Sequence, residues 1–172
     1  MTYETFEVPL LERELAKLGS ATVYEANAKT SLTLAWKRLT GADHENWLKY
    51  ERKQFGQIVS DLETEVVNYE KLKVAFQRIV DTHEDARDLR NMVVHAVWGF
   101  GAENEARLYC YRRQKAATSN DIDLAAEACA KLAGECREFA YQVALLASEG
   151  AIATEPGTGK IKVKVPTGLV TF

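Results

Sequence analysis

Apolar residues recur at three- and four-residue intervals through most of the chain, the period of an amphipathic helix. Leu10, Leu11, Leu15 and Leu18 predict a first helix opened by Pro9, with Gly19-Ser20 as a weak break before a second. That second segment, Thr22 to Thr40, sets Ala28, Leu32, Ala35, Trp36 and Leu39 on one face and stops at Gly41. Asp43 is placed to cap a helix in which Leu48, Phe55, Ile58, Val59, Leu62 and Val66 keep helical spacing. After a turn near Asn68, the longest periodic run extends from Tyr69 to Trp98. It carries Leu72, Phe76, Ile79, Val80, Ala86, Val93 and Val97 on a shared face and ends at Gly99-Phe100-Gly101.

The period then shortens towards two. Arg107-Leu108-Tyr109-Cys110-Tyr111-Arg112-Arg113 is aromatic-rich and weakly alternating, which predicts a strand. Ser119, Asn120 or Asp121 caps a last helix carrying Ala125, Cys129, Leu132, Cys136, Phe139, Val143 and Leu146, and Gly150 closes it. In the tail, Ile161, Val163 and Val165 alternate with Lys160, Lys162 and Lys164 behind a Pro-Gly-Thr-Gly turn, as in a small hairpin. The expected class is all-α: an antiparallel four- to five-helix bundle over residues 1–150, with a strand near 106–114, and a β-hairpin or extended tail over 151–172.

Composition narrows the partners. At 172 residues the chain is one domain's length, and 47% apolar with 27% charged residues is ordinary globular usage. A formal net charge of -3 excludes a strongly basic, histone-like binder. No apolar run reaches membrane-spanning length, and the opening MTYETFEVPLLERE carries acids where a signal peptide needs bases, so a cytoplasmic protein with no membrane contact is expected. Cys110, Cys129 and Cys136 are odd in number and lack CxxC spacing, so the latter two read as small buried apolar residues.

The long helix holds the candidate chemistry. With Arg90 at 0° and roughly 100° per residue, Leu72, Phe76, Ile79, Ala86, Val93, Val94 and Val97 fall within about 60° of it. An unpaired guanidinium in that apolar face is very costly, so Arg90 needs a carboxylate or a shared polar pocket. A second stripe, roughly 120° round, holds Glu84, Asp88, Asn91 and His95 as helical neighbours.

Arg90-Asn91-Met92-Val93-Val94-His95 resembles the signature of the HEPN superfamily, an Arg-Asn pair followed after three residues by His near the end of a long helix. The string RNMVVHAVWG is also similar to a bacterial HEPN-like group with an Arg-Asn, His, hydrophobic, Trp-Gly pattern. The resemblance implies a helical bundle that dimerises and, in many members, a metal-independent ribonuclease acting as a toxin or defence effector. It carries over Arg90, Asn91 and His95 as catalytic residues, RNA as substrate and an antitoxin protein as a partner. Where many relatives place an acid in the middle of the early helix, this chain has Lys29, with Glu25 one turn earlier.

The residue types suit that chemistry. Metal-free RNA cleavage needs a base for the 2'-OH, an acid for the leaving 5' oxygen and a cation for the charge growing on phosphorus. Imidazole supplies the first or second near neutral pH, guanidinium the third, and the Asn91 amide can hold either. Arg90 and His95 lie roughly 140° apart round one helix, which favours a composite site from two copies across a two-fold axis.

The rest is blander. His83 reads as a hydrogen-bonded core residue and His44 as solvated; no metal-binding spacing occurs, and neither metal nor cofactor is expected. GTGK is a turn, and Trp36, Trp47 and Trp98 are anchors. Residues 42–70 and 121–150 each carry -4, whereas 101–120 and 151–172 each carry +2. Arg107, Arg112, Arg113, Lys115, Lys160, Lys162 and Lys164 in the basic segments are the expected phosphate-binding residues, flanking the Arg90 and His95 cleft. The competing expectation is a non-catalytic dimeric interaction or nucleotide-binding module, in which Arg90 is a buried structural pair.

Overall fold

A computed structural model describes residues 10–95 and 118–152 with their side chains, and backbone alone at 97–100, 106–110, 115–117, 153–154 and 161–162. Five helices dominate: α1 Glu12–Thr40, α2 His44–Glu51, α3 Phe55–Val66, α4 Glu70–Val94 and α5 Ser119–Ser148. Between α4 and α5, the short runs β1 Val97–Phe100, β2 Ala106–Cys110 and β3 Lys115–Ala117 pair antiparallel in that order. After α5, β4 Ala153–Thr154 pairs with β5 Ile161–Lys162. The chain is a helical bundle, as its periodicity predicts. Among the described residues, no helix is long and apolar enough to cross a membrane.

Helix ends follow local chemistry. The Asp43 carboxylate accepts from the Asn46 N–H at 2.8 Å and opens α2, as predicted. Gly41, at φ 66°, takes the left-handed conformation after α1. Gly150, at φ 71°, does the same after α5, where Ala151 N–H donates to Leu146 O and Gly150 N–H to Ala147 O in a Schellman turn. The cap of α5 lies one residue earlier than expected. Thr118 is the capping position, its N–H and hydroxyl both donating to the Asp121 carboxylate at 2.7 and 3.1 Å.

Three further boundaries differ from those expected from the sequence. Gly19-Ser20 does not break α1: a helical glycine costs only about 1 kcal/mol, and Ser20 Oγ donates back to Ala16 O at 2.9 Å. Pro9 lies outside the described residues, and α1 opens with the Leu11 N–H donating to Glu14 Oε2 at 2.7 Å. The helix expected from Asp43 to Val66 is two helices, because Gln54 is extended and its N–H donates to Gln57 Oε1, starting a new helix at Phe55. Finally, α4 stops at Val94, short of Trp98, because Val97 and Trp98 pair instead with Tyr109 and Leu108.

The chain divides into two compact units, residues 1–26 with 82–132, and residues 27–81 with 133–172. In the first, Met92, Val93, Ile122 and Ala125 form a buried cluster packed by Leu10, Leu18, Leu89 and Val94, and Lys17 pairs with Asp123. In the second, Leu32, Leu39, Ile58, Leu62, Leu72, Ile79, Phe139 and Val143 are buried. Trp36 stacks on Tyr50 at 3.7 Å between ring centres, and Phe76 meets Phe139 at 5.5 Å. Burial, with Asp61 close by, pushes the Tyr50 hydroxyl well above the usual phenol range.

Candidate functional site

The site lies in the first unit and starts from α1. Ala21, Glu25 and Ala28 follow one another at helical spacing, and both alanines are fully buried. Glu25 therefore lies along the stripe that α1 turns inward. Arg90, near the end of α4, meets it: Arg90 Nε lies 2.8 Å from Glu25 Oε2, with side chains 17% and 26% exposed respectively. The Nε–H is not aimed at that oxygen, so the contact is an ion pair without a hydrogen bond at Nε. The carboxylate that an arginine on an apolar face requires is thus supplied by the early helix.

The other side of the guanidinium faces the motif. Arg90 Nη1 donates to Asn91 Oδ1 at 2.9 Å and lies 3.1 Å from His95 Nε2. This corrects the expectation that helical spacing keeps Arg90 and His95 apart within one chain. The helix ends at Val94, so His95 sits in a bend just beyond it, its N–H still donating to Asn91 O at 3.2 Å. From there the ring lies within reach of the long arginine side chain. His95 is exposed and Asn91 is half-buried, so the cluster runs from a shielded ion pair to an open imidazole.

Cys129 lies beneath the pair. Its thiol is buried, contacts Ala86 O at 3.8 Å, and is pushed up to about 11 by burial, reinforced by Glu25 and opposed by Arg90. Cys136 is likewise a buried free thiol, raised further by burial. Both are the small apolar residues that their spacing suggested.

The structure thus brings Arg90, Asn91 and His95 together and adds Glu25, whose role the sequence reading missed. The signal was present, since Glu25 interrupts the stripe of α1 between the buried Ala21 and Ala28. Glu84 and Asp88, on the same helix edge as Asn91 and His95, are exposed. His83 is half-buried, and His44 is exposed with its ring 5.4 Å from Trp47. Among the described residues, no three His, Cys, Asp or Glu side chains gather as metal ligands would. Arg112, Arg113, Lys160 and Lys164 lie outside the described residues, and Arg107, Lys115 and Lys162 are described by their backbone alone. Comparison with protein-family models, with curated proteins and with solved structures finds no match.

Proposed function

We propose that this chain is a metal-independent endoribonuclease of the HEPN kind, a homodimer that cuts single-stranded or looped RNA as a toxin or defence protein and is restrained by an antitoxin. One observation carries the reading: the residues that make up the motif meet in space, with Arg90 held between Glu25 and the Asn91–His95 pair and the imidazole open to solvent. In this reading His95 takes the 2'-OH proton, and O2' attacks phosphorus as the P–O5' bond breaks. The 5' oxygen takes up a proton from water or from His95 of a second copy. The products are a 2',3'-cyclic phosphate and a 5'-hydroxyl. Arg90 neutralises the charge that grows on the phosphoryl oxygens. The contact within one chain removes the geometric need for a second copy, so the dimer and the antitoxin rest on the resemblance alone. The basic residues of 101–120 and 151–172 supply backbone contacts along the RNA.

The test is incubation of the purified protein with labelled RNA in EDTA. Cleavage that is lost in His95→Ala, an exposed position whose change leaves the fold intact, supports the reading. No cleavage, or cleavage kept in that variant, overturns it.

A second reading has its own observation. Arg90 Nε and Nη1 already meet partners inside the chain, as a structural arginine does. In that case the chain is a non-catalytic interaction or nucleotide-binding module. No RNA is cut, and a mononucleotide that binds it raises its melting temperature.

A further inference from the structure

The contact between Arg90 and His95 constrains which ring nitrogen can accept. A guanidinium has donors and no acceptor. Nη1 lies 2.9 Å from Asn91 Oδ1 and 3.1 Å from His95 Nε2, so its two N–H groups are both committed, one to each. Imidazole accepts only through a ring nitrogen without a proton. For this contact to be a hydrogen bond, His95 Nε2 has to be the accepting nitrogen, with the ring hydrogen on Nδ1. The lone pair that takes a proton in catalysis is covered by the arginine that takes the phosphate.

Two neighbours hold the cover in place. Glu25 sits against Nε, and the Asn91 amide oxygen fixes Nη1 from the adjacent position on α4. A phosphodiester oxygen is charged and a neutral imidazole nitrogen is not. The guanidinium is charged in both contacts, but only the phosphate adds an opposite charge and can take two guanidinium N–H groups at once, so it outcompetes His95 for Nη1.

Resting on the ribonuclease reading, we propose that Arg90 is a latch on His95: the free site keeps its base capped, and a phosphodiester that draws Nη1 onto its own oxygens uncaps Nε2. The backbone of the substrate arms the site. A nucleoside without phosphate does not. Capture of the phosphate and delivery of the base become one event, and the free protein carries no armed base at its surface.

The experiment is nitrogen-15 NMR of the full chain with labelled histidine rings, at about pH 8, above the range where imidazoles ordinarily protonate. The His95 signals are identified by their loss in His95→Gln. In the free protein, Nδ1 is expected in the N–H range and Nε2 in the lone-pair range. Adding a 2'-O-methyl RNA oligonucleotide, which offers phosphates but no 2'-OH, moves Nε2 towards the N–H range as the freed ring exchanges between tautomers. The double variant Arg90→Met with Glu25→Gln gives the same move without RNA, and the wild-type measurements stand alone should that variant not fold. Nε2 carrying the hydrogen in the free protein overturns the latch, as does oligonucleotide binding that leaves Nε2 in place. Either result with RNA cleavage intact sinks the latch and spares the ribonuclease. Failure of the oligonucleotide to bind sinks both.

Discussion

The two compact units bury different things. Residues 27–81 with 133–172 enclose large apolar side chains: Leu32, Leu39, Ile58, Leu62, Leu72, Ile79 and Phe139, each inaccessible or nearly so. Among the described residues, the interior of 1–26 with 82–132 is built on Ala21, Ala86, Met92, Val93, Ile122, Ala125, Cys129 and Leu132, and it admits a buried Glu14 and the Glu25–Arg90 pair. Large apolar side chains contribute most of the burial energy, and shielded charges cost energy unless paired. The difference separates a unit whose sequence is explained by packing from one whose sequence packing alone does not explain. Polar groups retained inside a modest core are where chemistry is to be sought.

The comparison breaks most sharply at Phe139. This fully buried ring lies against Phe76, and Phe139→Ala is expected to cost about 3–5 kcal/mol, as for other large-to-small core changes. Urea unfolding followed by circular dichroism measures it. A loss below about 1 kcal/mol would mean that the apolar unit does not draw its stability from this buried ring.

Next in size is the ion pair. Glu25→Ala leaves the Arg90 guanidinium without its carboxylate, and breaking a fully buried pair costs roughly 3–5 kcal/mol. Both side chains keep some contact with solvent, so screening reduces the expected loss to about 2 kcal/mol. Because the pair strengthens as charges are left unscreened, the difference between wild type and variant shrinks in molar salt. A variant as stable as wild type would show that Arg90 needs no partner, and the polar unit would then have to be read as solvated.

What the sequence made legible was local. Gly41, Asp43 and Gly150 end or start helices through chemistry contained within a few residues, and each was identified correctly from its type and place. The Gly19-Ser20 break failed for the opposite reason. A single glycine is a modest local cost, and the apolar spacing on both sides of it carries one helix through. The split at Arg52-Lys53-Gln54 was hidden because apolar spacing continues across it, while the Gln54–Gln57 cap that makes it is a weak signal. At the site, Arg90, Asn91 and His95 were recognisable from one stretch of helix. Glu25 was not assigned, since its partner lies on a helix far away in sequence and only folding brings them together. The Arg90–His95 contact was not expected because an angle reckoned at the backbone leaves out the reach of the long arginine side chain, which brings Nη1 to 3.1 Å from His95 Nε2.

The smallest expected effect separates packing from helix propensity. Gly19 in α1 belongs to one unit and Gly134 in α5 to the other, and a Cβ added at either meets nothing within 4 Å. Alanine at a helix-interior site with open space gains roughly 0.5–1 kcal/mol over glycine, chiefly by restricting the unfolded chain. Gly19→Ala and Gly134→Ala should therefore each raise the unfolding free energy by that amount. The gain comes from the backbone and not from what each unit buries, so the two values should agree although the cores differ. The double variant should equal their sum within about 0.5 kcal/mol. A gain at Gly134 with none at Gly19 would place the weakness of the polar unit in its helix. Equal gains would leave it in the core, where Glu25 and Arg90 take positions that an apolar pair would fill.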